Sequence, residues 1–426
     1  MQHGRFTYVL FFIGFLLLAP SSTLAADLQV SSDTIFRNFD RQAATGKKLT
    51  SDSAYEYLQL NYGDLKSTGL SLHVNGWGRI NLADNYNNKD TAGELLHAYL
   101  QYVPVKQTFQ LRAGRQYIFE GVARDSIDGI YVKTFLIPTV TVSAYGGSPV
   151  SLDTSNGRNG DFIYGGKLTH SLPKLYDVGL SYKYIADNST RKEESLGTDL
   201  TLLFPWNISL LGHSVYNMIS KDWGEHSYDM RFPLGPVTIQ PFLQHFRYEG
   251  FFNNRSNTAN PFRFLQGTGN TLTVVGTDVF YYPSEHEEFV LRFKNYDYKD
   301  RFKSSQFYSI LAIKKLKILS EVGAEVGRMQ GSNDENRYIL SRGYFYWNTL
   351  HGFVTGDVMF VRYDKAIYTK RTSLFASVGI GKKFFNDRFS VKLSFDYSKD
   401  PYFDEDYRWM LKLNYLLDKT FSSLPR

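Results

Sequence analysis

Apolar and polar residues alternate with a period of two from about residue 54 to the end of the chain. The clearest stretch is 389–398, where Phe, Val, Leu, Phe and Tyr alternate with Ser, Lys, Ser, Asp and Ser. Other alternating stretches are 70–75, 178–184, 321–326 and 407–415. Because successive side chains of a strand point to opposite faces of a sheet, the pattern predicts an all-β chain with one apolar and one polar face.

The length of these stretches separates a membrane barrel from a soluble β-sandwich, which would also alternate. The predicted strands have about ten to thirteen residues, whereas soluble strands usually have about five or six. No helical pattern interrupts them, and the polar positions include Lys, Arg, Asp and Glu near strand centres. Since lipid cannot satisfy unpaired backbone groups, the sequence predicts a closed antiparallel transmembrane β-barrel.

The connections predict the topology, with about 22 strands and an even number overall. Short connections, several with proline, follow the even-numbered strands, for example near Pro104, Pro205 and Pro283. Longer polar connections mostly follow the odd-numbered strands: 42–53, 82–92, 147–160, 187–194, 250–270, 329–335 and 363–371. Because outer-membrane barrels have short periplasmic turns and long outer loops, both termini are expected on the periplasmic side.

The N-terminus is predicted to be a secretory signal peptide, residues 1–25. Arg5 supplies a positive charge, Tyr8–Leu18 is apolar but too short to span a bilayer, and small residues lead to cleavage near Ala25. An uncleaved anchor is the alternative. The remaining chain is divided into a short periplasmic segment, 26–32, a transmembrane barrel, 33–416, and a periplasmic tail, 417–426. The expected location is the outer membrane, in contact with its lipid.

Composition agrees with a membrane barrel and excludes several other classes. Aromatic residues make up 16% of the chain and cluster toward strand ends, as interfacial girdles do. The chain has no cysteine, which excludes a lipoprotein anchor, disulfides and covalently attached c-type haem. A net charge of +6 is small for this length, and no basic cluster suggests nucleic-acid binding.

The polar faces of the strands are expected to line the lumen. The predicted lumen-lining residues are His73, Asn75, Arg79, Gln110, Arg112, Gln116, Lys183, Asp199, Glu321, Glu325, Lys392, Asp396, Arg408 and Lys412. Leu393 and Leu411 are expected on the opposite, lipid-facing surface. Because the lining mixes both signs of charge, a steep field that concentrates one class of ion is not expected.

Catalytic and metal-binding motifs are absent from the sequence. The histidines are scattered and form no His-Glu-x-x-His motif, and the segment 379–382 lacks the full spacing of a phosphate-binding loop. No Ser/His/Asp arrangement can be inferred from spacing. We therefore expect no enzyme activity, cofactor or metal, with an outer-membrane enzyme as a minor alternative.

The most distinctive stretch is 111–124, followed by Ile127-Asp128-Gly129. Its glycines at 114, 121 and 129 are expected at bends or close backbone approaches. The stretch resembles the Gly-Arg-Gln…Asp-Gly segment of several bacterial porin families, including the alginate-export type. Together with 54–60, 69–79, 93–96 and 145–150, it is similar to the porin component of porin–cytochrome conduits, barrels found beside multihaem cytochromes.

The resemblance covers roughly residues 34–150 and has a functional implication. It implies a sheath that holds a multihaem c-type cytochrome across the outer membrane for electron transfer, with no haem site of its own. The alternative left open is a passive porin for small solutes or oligosaccharides. Because so few residues precede the first predicted strand, no plug domain is expected, and the loop 250–270, rich in phenylalanine, is the expected candidate for folding into the lumen.

Overall fold

The chain forms one closed antiparallel sheet of 22 strands. The computed structural model describes residues 26–43, 46, 48–65, 68–84, 91–150, 162–187, 190–247, 271–298, 302–317, 320–332, 337–349 and 352–421. Each strand pairs with its neighbours in sequence, and the last strand pairs with the first. The predicted fold class, a closed antiparallel barrel of about 22 strands, is confirmed.

The strands are longer than those of most soluble sheets. Their bounds are β1 Ala26–Ala43, β2 Lys48–Gly63, β3 Gly69–Asp84, β4 Thr91–Val103, β5 Phe109–Glu120, β6 Ala123–Ile137, β7 Val140–Pro149, β8 Phe162–Leu172, β9 Tyr176–Asp187, β10 Thr190–Leu203, β11 Ser209–Asn217, β12 Asp222–Leu234, β13 Val237–Arg247, β14 Thr271–Ser284, β15 Glu287–Tyr298, β16 Phe302–Lys314, β17 Glu321–Gln330, β18 Tyr338–Thr349, β19 Gly352–Ile367, β20 Lys370–Phe384, β21 Phe389–Lys399 and β22 Phe403–Phe421. A 3-10 turn, Pro205–Asn207, joins β10 to β11.

The seam that closes the barrel corrects two predicted boundaries. The first strand was expected at residue 33 and the last to end at 416, but β1 and β22 pair from Ala26 with Phe421 through Gln42 with Glu405. Residues 26–32 and 417–421 are therefore strand. Residues 417–421 show no hydrophobic alternation, and the alternation of Leu28 and Val30 with polar neighbours is too short to predict a strand by itself, whereas backbone pairing continues to the end of the seam. The predicted signal peptide, 1–25, lies outside the described residues.

Strands also extend further at the opposite end than the sequence predicted. Parts of six expected loops are strand, and the longest extensions are those of β2, which begins at Lys48, β10, which begins at Thr190, and β19, which continues to Ile367. Toward the strand ends both faces of a strand can be polar, so alternation disappears while the backbone remains paired. The loop 250–270 lies outside the described residues.

The strand registers separate two faces of the wall. Leu393 pairs with Leu411 and with Ile380, while Lys392 pairs with Lys412 on the opposite face. The apolar side chains of the first face are exposed, for example 47% for Leu393. Glu56 is an exception on this face, and its two carboxylate oxygens accept hydrogen bonds of 2.6 Å from Ser32 and Thr34. Among the described residues, no helix is long and apolar enough to cross a membrane.

Candidate functional site: an infolded hairpin in the lumen

The hairpin formed by β5 and β6 lies inside the barrel. At its tip, the backbone N–H of Val122 donates to Ser181 Oγ at 3.0 Å, although Ser181 belongs to β9, three strands away from β6. Side chains of a closed barrel converge on the inside and diverge on the outside, so contacts between non-adjacent strands form on the inner face. The polar face, which includes Ser181, is therefore the lumen face, and the hairpin tip lies in the lumen.

An apolar cluster holds the hairpin in this position. Its members come from the lumen faces of β5 to β9 and their side chains are almost fully buried: Ile118, Ala123, Ile127, Tyr131, Tyr145, Ile163 and Ile185. Burying an isoleucine stabilises a structure by about 1.5–3 kcal/mol relative to leaving it exposed. The cluster thus fixes the hairpin against one side of the wall.

Ion pairs surround the hairpin tip. Lys183 Nζ on β9 lies 3.2 Å from Asp125 Oδ2 on the hairpin and 2.8 Å from Glu193 Oε2 on β10. Lys167 pairs with Asp199 at 2.8 Å on the neighbouring wall. Because one ammonium group joins two carboxylates from different strands, Lys183 ties the charged side of the hairpin to the wall.

A second polar zone lines β2 to β6 and contains arginine and histidine. The Arg112 guanidinium lies between two aromatic rings, 5.6 Å from the Tyr99 centroid and 5.1 Å from that of Tyr131. Its Nε donates to Gln101 Oε1 at 3.1 Å. His73 stacks on Tyr99 with ring centroids 4.9 Å apart. These cation–π and hydrogen-bond contacts orient a positive group on the lumen face.

Charge pairs continue around the rest of the lumen. On β14 to β17, Arg292 pairs with Asp278 at 3.2 Å and lies 3.7 Å from Glu325, which is 8% exposed. On β18 and β19, Arg342 pairs with Asp357 at 2.6 Å. At the seam the charge pairs are Lys412 with Asp33, at 3.0 Å, and Arg41 with Asp406, at 2.9 Å. Many of the charges on the lumen face are therefore locally compensated.

The registers bring every predicted lining residue onto the polar face, in four groups. His73, Asn75, Arg79, Gln110 and Arg112 lie on β3 and β5; Gln116, Lys183 and Asp199 lie around the hairpin; Glu321 and Glu325 lie on β17; Lys392, Asp396, Arg408 and Lys412 lie near the seam. Whether any of them contacts a solute stays a prediction. Among the described residues, no group of three or more His, Asp or Glu is arranged to hold a metal ion.

Sequence reasoning missed several charged residues that organise the lumen: Asp33, Arg41, Glu120, Asp125, Lys167, Glu193, Asp278, Arg292, Arg342 and Asp357. Most share the alternation of the predicted residues, so the same pattern could have found them. Glu120 and Asp125 are different, because they lie near the tip of the hairpin. Their role depends on the infolding of the hairpin. Tyr131 OH donates a hydrogen bond to Glu120 Oε1 and so couples the hairpin tip to its base.

Comparisons with known proteins find structural matches only. No protein-family model matches the chain, and no curated protein matches it in sequence. The chain is similar to OccAB1 of Acinetobacter baumannii, with 11% identity, a TM-score of 0.43, and coverage of 92% of this chain and 96% of that one. It is similar to the translocation pore of the P pilus usher PapC, with 10% identity, a TM-score of 0.49, and coverage of 92% and 99%. It is also similar to the outer membrane protein OpdK of Pseudomonas aeruginosa, with 10% identity, a TM-score of 0.43, and coverage of 92% and 99%. The function proposed below therefore rests on the residues of this chain.

Proposed function

We propose that the chain is an outer-membrane channel whose lumen passes small hydrophilic solutes beside the β5–β6 hairpin. The observation that carries this proposal is a closed barrel with an apolar outer face and a charged, hydrogen-bonded inner face. In a bilayer the outer face would contact lipid, and the inner face would hold water. Export by the predicted signal peptide, with cleavage near Ala25, would bring the chain to the outer membrane.

The charges of the lumen suggest what kind of solute would pass. Lys183, Arg292 and Arg342 each have a carboxylate partner within 3.2 Å. A lumen whose charges are paired in this way has no strong field of one sign, which is what would be needed to favour one class of ion. Solute size, limited by the hairpin, would therefore matter more than solute charge.

Planar-bilayer recordings of the purified protein test this function. We expect stepwise increases in current from single insertions, with weak selectivity between potassium and chloride. A matched preparation of heat-denatured protein should give no steps. A correctly folded barrel that inserts, as shown by protease protection in vesicles, but carries no current would contradict the proposal.

A sheath for a multihaem cytochrome is the second candidate function, supported by the sequence resemblance over roughly residues 34–150. In that case the cytochrome would supply the haem and this chain only the surrounding wall. Extraction from native membranes in mild detergent, followed by haem staining, would separate the two functions. A haem-bearing partner with a closed native complex supports the sheath, whereas a barrel that purifies alone and conducts supports the open channel.

Replacing Lys183 by glutamine is expected to make the channel more selective for cations. The substitution leaves Asp125 and Glu193 without their shared cation, so two carboxylates would face the water beside the hairpin. Lys392→Gln removes the same charge from a lumen position far from the hairpin and is the matched control. Reversal potentials in a potassium chloride gradient measure the effect, and an equal shift in both variants would contradict it.

A further inference from the structure

The barrel wall is split between β4 and β5. These strands pair only from Ala98 with Arg115 to Tyr102 with Leu111, the shortest register between neighbouring strands in the described barrel. Beyond that point, residues of β4 up to Thr91 pair with β3 alone, and residues of β5 up to Glu120 pair with β6 alone. Among the residues that the structure describes, each strand therefore has a free edge that faces a gap in the wall.

The infolded hairpin is the cause of the split. Gly114, next to the last pair, has a φ of +123°, and an added Cβ would lie 2.3 Å from the carbonyl oxygen of Ala98. Only glycine fits such a bend comfortably. Beyond it, β5 turns away from β4 toward the tip at Val122, whose backbone N–H donates to Ser181 on the inner face of β9. The wall opens because the segment that would have closed it lies inside the barrel.

The gap lies beside the apolar band of the outer face. On β3, the outward residues Gly76 and Ile80 pair with Leu95 and Thr91, at the level of the gap. Ile80 is 57% exposed and Leu95 is 40% exposed. Phe119, which is 72% exposed, lies on the infolded hairpin inside the lumen. The gap is therefore bordered on its β4 side by apolar side chains that could contact acyl chains, and an exposed phenyl ring lies within the lumen.

Polar groups line the β5 side of the same gap. Arg115 is held by Asp128 through two hydrogen bonds of 2.8 Å, and its Nη1 donates to the carbonyl oxygen of Leu95 at 3.2 Å. Unpaired strand edges at membrane depth are tolerated only where they are buried in protein or line a water-filled cavity. Beyond Arg115, toward the hairpin tip, the free edges of β4 and β5 would then be in contact with lumen water.

We propose that this gap is a lateral opening through which single-chain amphipathic molecules pass between the lumen and the outer leaflet. The apolar rim on the β4 side would accommodate the acyl chain, and the polar edges and lumen water would accommodate the headgroup. An added peptide strand fits less well, because Leu96 forms a bulge in the edge of β4 and bulges disfavour pairing. The proposal rests on insertion of the barrel in the membrane but not on ion conduction.

Paired cysteines test whether the gap exists, since the chain has no cysteine of its own. Leu96→Cys with Tyr117→Cys would face each other if β4 and β5 continued to pair. Leu100→Cys with Ala113→Cys, a true pair of the same two strands, is the control. We expect a disulfide in the control under mild oxidation and none across the gap. Rapid disulfide formation at both pairs would overturn the proposal.

A photoreactive label tests what occupies the gap. Benzophenone attached at Phe119→Cys is irradiated in phosphatidylcholine vesicles that contain lysophosphatidylcholine, with labels at Ile310→Cys and Leu311→Cys as lipid-face and lumen-face references. We expect adducts with the lysolipid at 119 and 310 and none at 311. No lipid adduct at 119, or an adduct to a second polypeptide, would reject the proposal. Neither readout depends on conductance, so failure of the channel function would be seen separately.

Discussion

Gly121→Val is expected to displace the β5–β6 hairpin from the wall and to raise the single-channel conductance. Gly121 has a φ of +60°, and an added Cβ would lie 2.1 Å from Ser181 Oγ and 2.3 Å from Ser181 Cβ. Ser181 is itself 2% exposed and sits on a paired strand, so it has little room to move. The tip must therefore leave its place, and the hydrogen bond from Val122 to Ser181 is lost with it.

Gly235→Val is the control for the backbone strain in this experiment. Gly235 has a φ of +63°, but nothing lies within 4 Å of an added Cβ. A side chain in the left-handed region costs about 1–2 kcal/mol in either variant. Only Gly121→Val adds a clash in the lumen. Single-channel recordings should show larger current steps for Gly121→Val and unchanged steps for Gly235→Val, and equal steps in both would show that the hairpin does not narrow the lumen.

Much of the fold could be predicted from the sequence because a barrel wall with one apolar and one polar face gives a simple periodic pattern. Each side chain in the middle of a strand faces either outward or into the lumen, so the alternation around Leu393 and Lys392 indicates the wall directly. Toward the strand ends this constraint is lost. The extensions of β2, β10 and β19 were therefore read as loops, and the seam strands were predicted too short.

The infolding of the hairpin was harder to predict because it depends on contacts between residues distant in sequence. Nothing near Val122 indicates that it bonds to Ser181. The glycines at 114, 121 and 129 were expected at close approaches, and this is confirmed, since a Cβ at each would lie within 2.3 Å of another atom. The sequence did not indicate that the β5–β6 hairpin bends into the lumen.

One sequence signal could have located the hairpin. Ile118, Ile127, Ile163 and Ile185 occupy lumen-face positions, where alternation calls for polar residues, and they are at most 1% exposed. Apolar residues concentrated on the lumen face of consecutive strands indicate that something covers that face. The expectation that 250–270 folds inward relied instead on aromatic content, and it stays untested because that loop lies outside the described residues.

Ile310→Arg is expected to destabilise the folded barrel far more than Leu311→Arg. The two residues are adjacent on β16, at nearly the same depth, but point to opposite faces. Ile310 pairs with Leu291 and Val326, both about half exposed on the apolar face. An arginine on the lipid face near the midplane costs about 2–4 kcal/mol, and less toward the interfaces.

Leu311 has a different environment even though its own side chain is equally apolar. It pairs with Glu325 on the lumen face, and Glu325 lies 3.7 Å from Arg292. An arginine at 311 would therefore face water and a carboxylate, which offset most of the cost of the lost leucine. Urea titrations of folding into vesicles compare the two variants with the parent chain. Similar small losses of the free energy of unfolding would mean that the two faces are wrongly assigned. Similar large losses would mean that the lumen at this position contains no water. Either result would also remove the basis for a water-filled channel.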